Sequence, residues 1–133
     1  MAYVNPKDGL HDRATSLVSR YSGKKMFVSQ LVVLELYSVF SRVMAVGDVE
    51  LEALVSYVMD RCGVELVDVE WSELYARSLS YANKLKLKTL DLLHVVAAYL
   101  LGTGTLISFD RDLNDRRGLI KSVLGIEVVG FQL

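Results

Sequence analysis

Thr89-Leu90-Asp91-Leu92-Leu93-His94-Val95-Val96-Ala97-Ala98-Tyr99-Leu100-Leu101-Gly102-Thr103-Gly104-Thr105-Leu106-Ile107-Ser108-Phe109-Asp110 is the stretch on which the fold turns. Its apolar run predicts a helix to Leu101 with Thr89 as the cap. Gly102-Thr103-Gly104 then turns the chain into a strand, Thr105 to Phe109. The strand is continuously apolar rather than alternating, as a strand covered on both faces would be. Two acids stand out against this background: Asp91 opens the helix and Asp110 ends the strand. Burying an ionised carboxylate is costly unless something compensates it.

Working outward, the same alternation recurs along the chain. A first helix is expected from about Leu10 to Tyr21, stopped by Ser22-Gly23. Met26-Phe27-Val28 reads as a short buried strand, and Ser29 as the N-cap of a long helix through about Val46, ended by Gly47. Asp48 is expected to cap a third helix, Val49 to Cys62, followed by Gly63 and a strand from Val64 to Val69. Trp71 to Leu85 makes another helix, with Ser72, Glu73 and Arg77 on its wetter face. A closing segment runs from Ile126 to Val129. Strands separated by helices predict an α/β fold with a mostly parallel sheet, and no linker or repeat divides residues 1–133, which read as one domain.

Composition narrows the function classes. The chain has 133 residues, 52% hydrophobic and 23% charged, a globular balance. Leu90 to Leu101 is too short for a membrane span, which takes about 20 residues. The first residues carry no basic segment followed by an apolar one, so no secretory signal is read there. A single cysteine, Cys62, excludes an internal disulfide framework and fits a reducing cytoplasm. Net charge is −1, so any nucleic acid must be met by a local basic patch.

In parallel sheets, sites form beyond the carboxyl ends of the strands. Asp110 lies just past such an end. Glu35, embedded in Leu31-Val32-Val33-Leu34-Glu35-Leu36, falls two turns into the helix after Val28, on the face of Leu31, Val32 and Val39. Asp91 sits in the first turn of its helix, where the dipole favours an anion. The three are expected to share one site. Gathered carboxylates repel unless protonated or metal-bound, and hard oxygen ligands suit Mg2+ or Mn2+.

Three segments together resemble the acidic motifs of PIN-domain nucleases, VapC-type toxins in particular. They are Ser29-Gln30-Leu31-Val32-Val33-Leu34-Glu35-Leu36, Leu87-Lys88-Thr89-Leu90-Asp91-Leu92-Leu93-His94-Val95-Val96-Ala97 and Leu106-Ile107-Ser108-Phe109-Asp110-Arg111-Asp112-Leu113. Each is weak alone; their order and spacing give the resemblance its specificity. It implies a three-layer fold with a central, mostly parallel sheet flanked by helices, and a Mg2+- or Mn2+-dependent endoribonuclease that is often a toxin paired with a VapB-like antitoxin and working as a homodimer. Carried over by motif, Glu35, Asp91 and Asp110 are metal-site acids, Asp112 assists, and Ser108 matches the small hydroxyl residue before the last acid. The chemistry implied is metal-assisted hydrolysis, with no protein nucleophile.

The resemblance also implies a strand ending in aspartate, then a short apolar helix, ahead of a segment like Ala2-Tyr3-Val4-Asn5-Pro6-Lys7-Asp8. The sequence opens at that later segment. The expectation is therefore that the first strand and its acid are missing, that Asn5 and Asp8 do not replace it, and that metal affinity and nuclease activity are low. Loss of a central strand would also expose neighbouring edges to pairing between molecules.

Other readings of the same residues stay open. Glu35 could pair with Arg42, Asp91 could merely favour a helix start, and Asp110 and Asp112 could serve turn chemistry. His94 reads as a hydrogen-bonded structural histidine, His11 as a surface residue and Cys62 as a small apolar one. Lys84, Lys86 and Lys88 could hold phosphates or form a solvated edge, and Arg111, Arg116 and Arg117 are similar candidates. Two function classes follow, a metal-dependent ribonuclease and a non-catalytic PIN-like interaction protein. A phosphatase of another metal-dependent α/β class fits the motif order less well.

Overall fold

A computed structural model describes residues 26–108 and 110–130. The chain divides into two compact units, Met1–Val67 and Asp68–Leu133. The helix expected at Leu10–Tyr21, the Asn5–Asp8 segment, His11 and Phe109 lie outside the described residues.

The first unit runs β1 (Met26–Val28), α1 (Gln30–Val43), α2 (Asp48–Cys62) and β2 (Val64–Leu66). The strands are parallel, with Met26 opposite Val64 and Val28 opposite Leu66. Ser29 caps α1 as expected, its Oγ accepting from the Leu31 N–H at 3.2 Å. The helix ends at Val43, earlier than the Val46 expected from apolar pattern. Residues 41–50 are all exposed, so nothing packs against a further turn. Gly47 is accordingly the residue before α2 rather than the end of α1, and Asp48 is helical rather than capping. Gly63 does end α2, at φ +65°, where a side chain would be strained. Leu36 and Phe40 of α1 pack with Val55 and Val58 of α2 to form the unit's core. β2 is shorter than expected, stopping at Leu66; the Val67 N–H still donates to the Val28 carbonyl.

The second unit runs α3 (Trp71–Leu85), α4 (Thr89–Leu100), β3 (Thr105–Ile107), α5 (Arg111–Asp115), α6 (Arg117–Leu124) and β4 (Glu127–Val129). Glu70 caps α3, its carboxylate accepting from the Ser72 hydroxyl and from the N–H groups of Glu73 and Ser72, and those bonds, the hydroxyl's first, hold its pKa below the usual carboxylate range. Lys88, not Thr89, occupies the cap position of α4; Thr89 is its first helical residue and makes no capping bond. β3 and β4 are parallel, with Thr105 opposite Glu127 and Ile107 opposite Val129. The two short helices between them were not legible as periodicity, because five and eight residues hold too few turns. Leu74, Leu85, Val95, Val96, Ile120, Ile126 and Val128 are fully buried and form this unit's core.

The α/β class with parallel strands and flanking helices is thus as expected. Among the described residues the strands pair two by two, within each unit. No described helix is long and apolar enough to cross a membrane.

Candidate metal centre

The acids of the second unit converge where β3 ends. The Ser108 N–H donates to the Val129 carbonyl at 3.0 Å, prolonging the strand pairing by one residue. Ser108 Oγ then accepts from the Asp110 N–H at 3.0 Å, and Asp110 Oδ1 accepts from the Leu113 N–H at 3.2 Å. Asp110 is therefore the N-cap of α5. The turn chemistry open from the sequence and a metal role coexist, since a carboxylate has lone pairs on two oxygens.

Asn114 fixes this corner, and sequence reasoning missed it. Its side-chain amide donates to the Ser108 carbonyl at 2.9 Å and to the Asp110 carbonyl at 2.8 Å, and the residue is only 3% exposed. Gly130 lies against the same place: a Cβ there would collide with the Ser108 carbonyl and touch the Asn114 amide. No signal in the sequence marked Asn114, since α5 is polar apart from Leu113 and too short to show a period.

Asp91 comes to this corner from the first turn of α4, and Asp112 from the first turn of α5. One carboxylate oxygen from each of Asp91, Asp110 and Asp112 lies within 4.8 Å of the others. Burial, and then the charges of Asp110 and Asp112, push the Asp91 carboxyl above its usual range, partly offset by His94 and Lys88. Such gathered hard oxygen donors, repelling one another, fit a divalent cation of the Mg2+ or Mn2+ class.

Lys88 already sits on the cluster. Its Nζ lies 3.2 Å from Asp112 Oδ2, and the neighbouring carboxylates, Asp112 foremost, raise the ammonium's pKa. Lys86 has a different environment: it ends α3 at φ +56°, a left-handed conformation unusual for a non-glycine, and its Nζ donates to Asn83 Oδ1 at 2.6 Å. Lys84 stands over the Tyr81 ring at 5.5 Å. Arg111 is exposed at the start of α5. Glu35 belongs to the first unit, half-buried on α1 between the turns of Leu31 and Val39. The acids that the second unit gathers are Asp91, Asp110 and Asp112.

A family model described as PIN domain matches residues 2–119. The chain belongs to the PIN domain family. No curated protein and no solved structure is significantly similar to it. PIN domains are typically metal-dependent nucleases, and this PIN domain carries an acidic cluster that could bind such a metal.

Proposed function

We propose that this PIN domain is a Mg2+- or Mn2+-dependent endoribonuclease of the VapC toxin type, hydrolysing RNA phosphodiester bonds in the cytoplasm. The observation that supports it most is the meeting of Asp91, Asp110 and Asp112 within 4.8 Å at the carboxyl end of a parallel strand. These acids would hold the ion, with Glu35 completing the set in this reading. When bound, the ion would lower the pKa of a water and neutralise charge on the attacked phosphate. Ser108 and Asn114 hold the Asp110 corner in place. Lys86, Lys88 and Arg111 are the proposed phosphate contacts, and a VapB-like antitoxin and a second copy of the chain are the proposed protein partners.

The test is direct. Purified protein with Mn2+ is expected to cleave at least one RNA in a varied panel, at the low rate its sequence leads one to expect, and Asp110→Asn to remove that cleavage while staying folded. Glu35→Gln examines the fourth acid separately, through Mn2+ affinity. Cleavage that persists in Asp110→Asn, or an inert wild type that also binds no Mn2+, rules the reading out.

One feature supports the second reading, a non-catalytic interaction protein. Trp71, Tyr75 and Leu79 recur every four residues along α3 and are exposed, forming an apolar stripe of the kind that marks contact surfaces. A wild type that stays inert towards RNA yet self-associates through this stripe would favour it.

A further inference from the structure

The ammonium on the acid cluster has a partner there, the Asp112 carboxylate, that a phosphate contact alone does not explain. Lys88 stands at the head of α4, three residues before Asp91, and its side chain reaches across to Asp112 on α5. It thereby links two of the elements that supply the acids. Its side chain is 83% exposed, so the pair is not locked by packing, and an exposed lysine pair exchanges readily. Three carboxylates within 4.8 Å carry more negative charge than one ammonium balances.

We infer that Lys88 is a tethered counter-ion of the cluster, which holds Asp112 in the metal-free protein, competes with a divalent ion for that carboxylate and, once displaced, meets a substrate phosphate. The inference rests on the metal-site reading above. Lys88 is suited to both positions because its charge is a point on a flexible four-carbon stem, free to leave one oxygen anion for another. Lys86 is not equivalent, because its ammonium lies on the neutral amide of Asn83 rather than on a carboxylate of the cluster. The direction of all three charge effects on Lys88 is the same, with Asp112 the largest contributor and Asp110 and Asp91 adding to it.

The competition has a measurable size. An exposed ion pair shifts an equilibrium by up to about fivefold. In calorimetric titration with Mn2+, Lys88→Gln is therefore expected to bind about threefold to fivefold more tightly than wild type. Lys88→Arg, which keeps the charge, and Lys86→Gln, which removes a neighbouring one, are expected to stay within about twofold. A second readout follows the lysine itself. Acetylation of Lys88 by acetic anhydride, followed by mass spectrometry, should be slow without metal and faster at saturating Mn2+, when the amine has left its carboxylate. A third uses a nucleoside 5′-monophosphate, which offers a phosphate but no diester bond to hydrolyse, and whose binding Lys88→Gln should weaken when Mn2+ is present but not in its absence.

Each outcome decides. Mn2+ binding by wild type with no tightening in Lys88→Gln beyond that of Lys86→Gln overturns the counter-ion role and leaves the metal site standing. An acetylation rate unmoved by Mn2+ does the same. Tightening in Lys88→Gln with binding of the nucleoside monophosphate unaffected at saturating Mn2+ overturns the phosphate contact. Absence of Mn2+ binding in both proteins overturns the inference together with the reading beneath it.

Discussion

The molecule contains the same connection twice, at two sizes. From β1 through α1 and α2 to β2, and from β3 through α5 and α6 to β4, a strand leads through two helices to a parallel partner strand. The first crossover uses helices of 14 and 15 residues, long enough to make a core from each other through Leu36, Phe40, Val55 and Val58. The second uses helices of 5 and 8 residues, which cannot bury enough of each other. Its buried side chains, Leu113, Ile120 and Leu124, belong to a core that also takes in α3 and α4. The entry into the short crossover also has a chemical consequence. The end of β3, the cap of α5 and its first turn bring Asp110 and Asp112 close enough to meet Asp91. The long crossover is built for packing, the short one for placing charge.

The comparison is most exposed to a pair of core truncations. Ile120 is 0% exposed and Leu36 is 8% exposed, each in the helices of its own crossover. Truncating such a side chain to alanine costs about 2–5 kcal/mol, rising with the cavity left behind. Ile120→Ala is expected near the upper end, since a short helix held between α3 and β4 cannot collapse into the space, and Leu36→Ala near the lower. Urea unfolding measures both. Equal costs, or a larger one for Leu36→Ala, would remove the distinction between a self-sufficient crossover and a dependent one.

Asn114→Ala comes next. It strips two carbonyls, those of Ser108 and Asp110, of a donor in a nearly closed site, which costs about 1–3 kcal/mol. Because the same amide holds the Asp110 corner, Mn2+ affinity is expected to fall at least tenfold in protein verified as folded by circular dichroism. A loss of stability with unchanged Mn2+ affinity would show that Asn114 supports the crossover but not the placing of charge.

How much of this could be read from the sequence follows the same division. The long crossover was legible in its elements, though not at the end of α1 or of β2, because Ser29 and Gly63 are local signals and helices of 14 and 15 residues show their period. α3 was legible to both ends. In the short crossover the acids, β3 and the closing strand stood out; α5 and α6 left no periodic trace, Asn114 acts through bonds back to Ser108 and Asp110 that need the turn already formed, and Gly130 meets Ser108 from a distant part of the chain. Lys88 was visible as a candidate phosphate ligand. Its seat on Asp112 depends on how α4 and α5 are brought together, which no local pattern encodes.

The smallest effect expected is also the one that separates stability from charge placement. Asp91 has its pKa raised by burial and by the charges of Asp110 and Asp112, so in metal-free protein its ionised form is disfavoured by folding. In the unfolded chain it titrates near the ordinary value of about 3.9. Between that value and the raised folded one, the native state binds more protons than the unfolded, so stability falls as pH rises through the window and remains lowered above it. Asp91→Asn abolishes this dependence. It also gives up a favourable charge in the first turn of α4, worth about 0.3–1 kcal/mol, so the net gain at neutral pH is small. Thermal unfolding at pH 4 and pH 7 without metal is expected to show the variant slightly more stable at pH 7 than wild type, with the advantage lost at pH 4. Saturating Mn2+ should reverse the order, because an ion bound at 100 times its dissociation constant adds about 2.7 kcal/mol to wild type and little to the variant. A wild type that remains the less stable of the two in Mn2+ would mean that the acids gathered by the short crossover carry the cost of repulsion without the ion that offsets it.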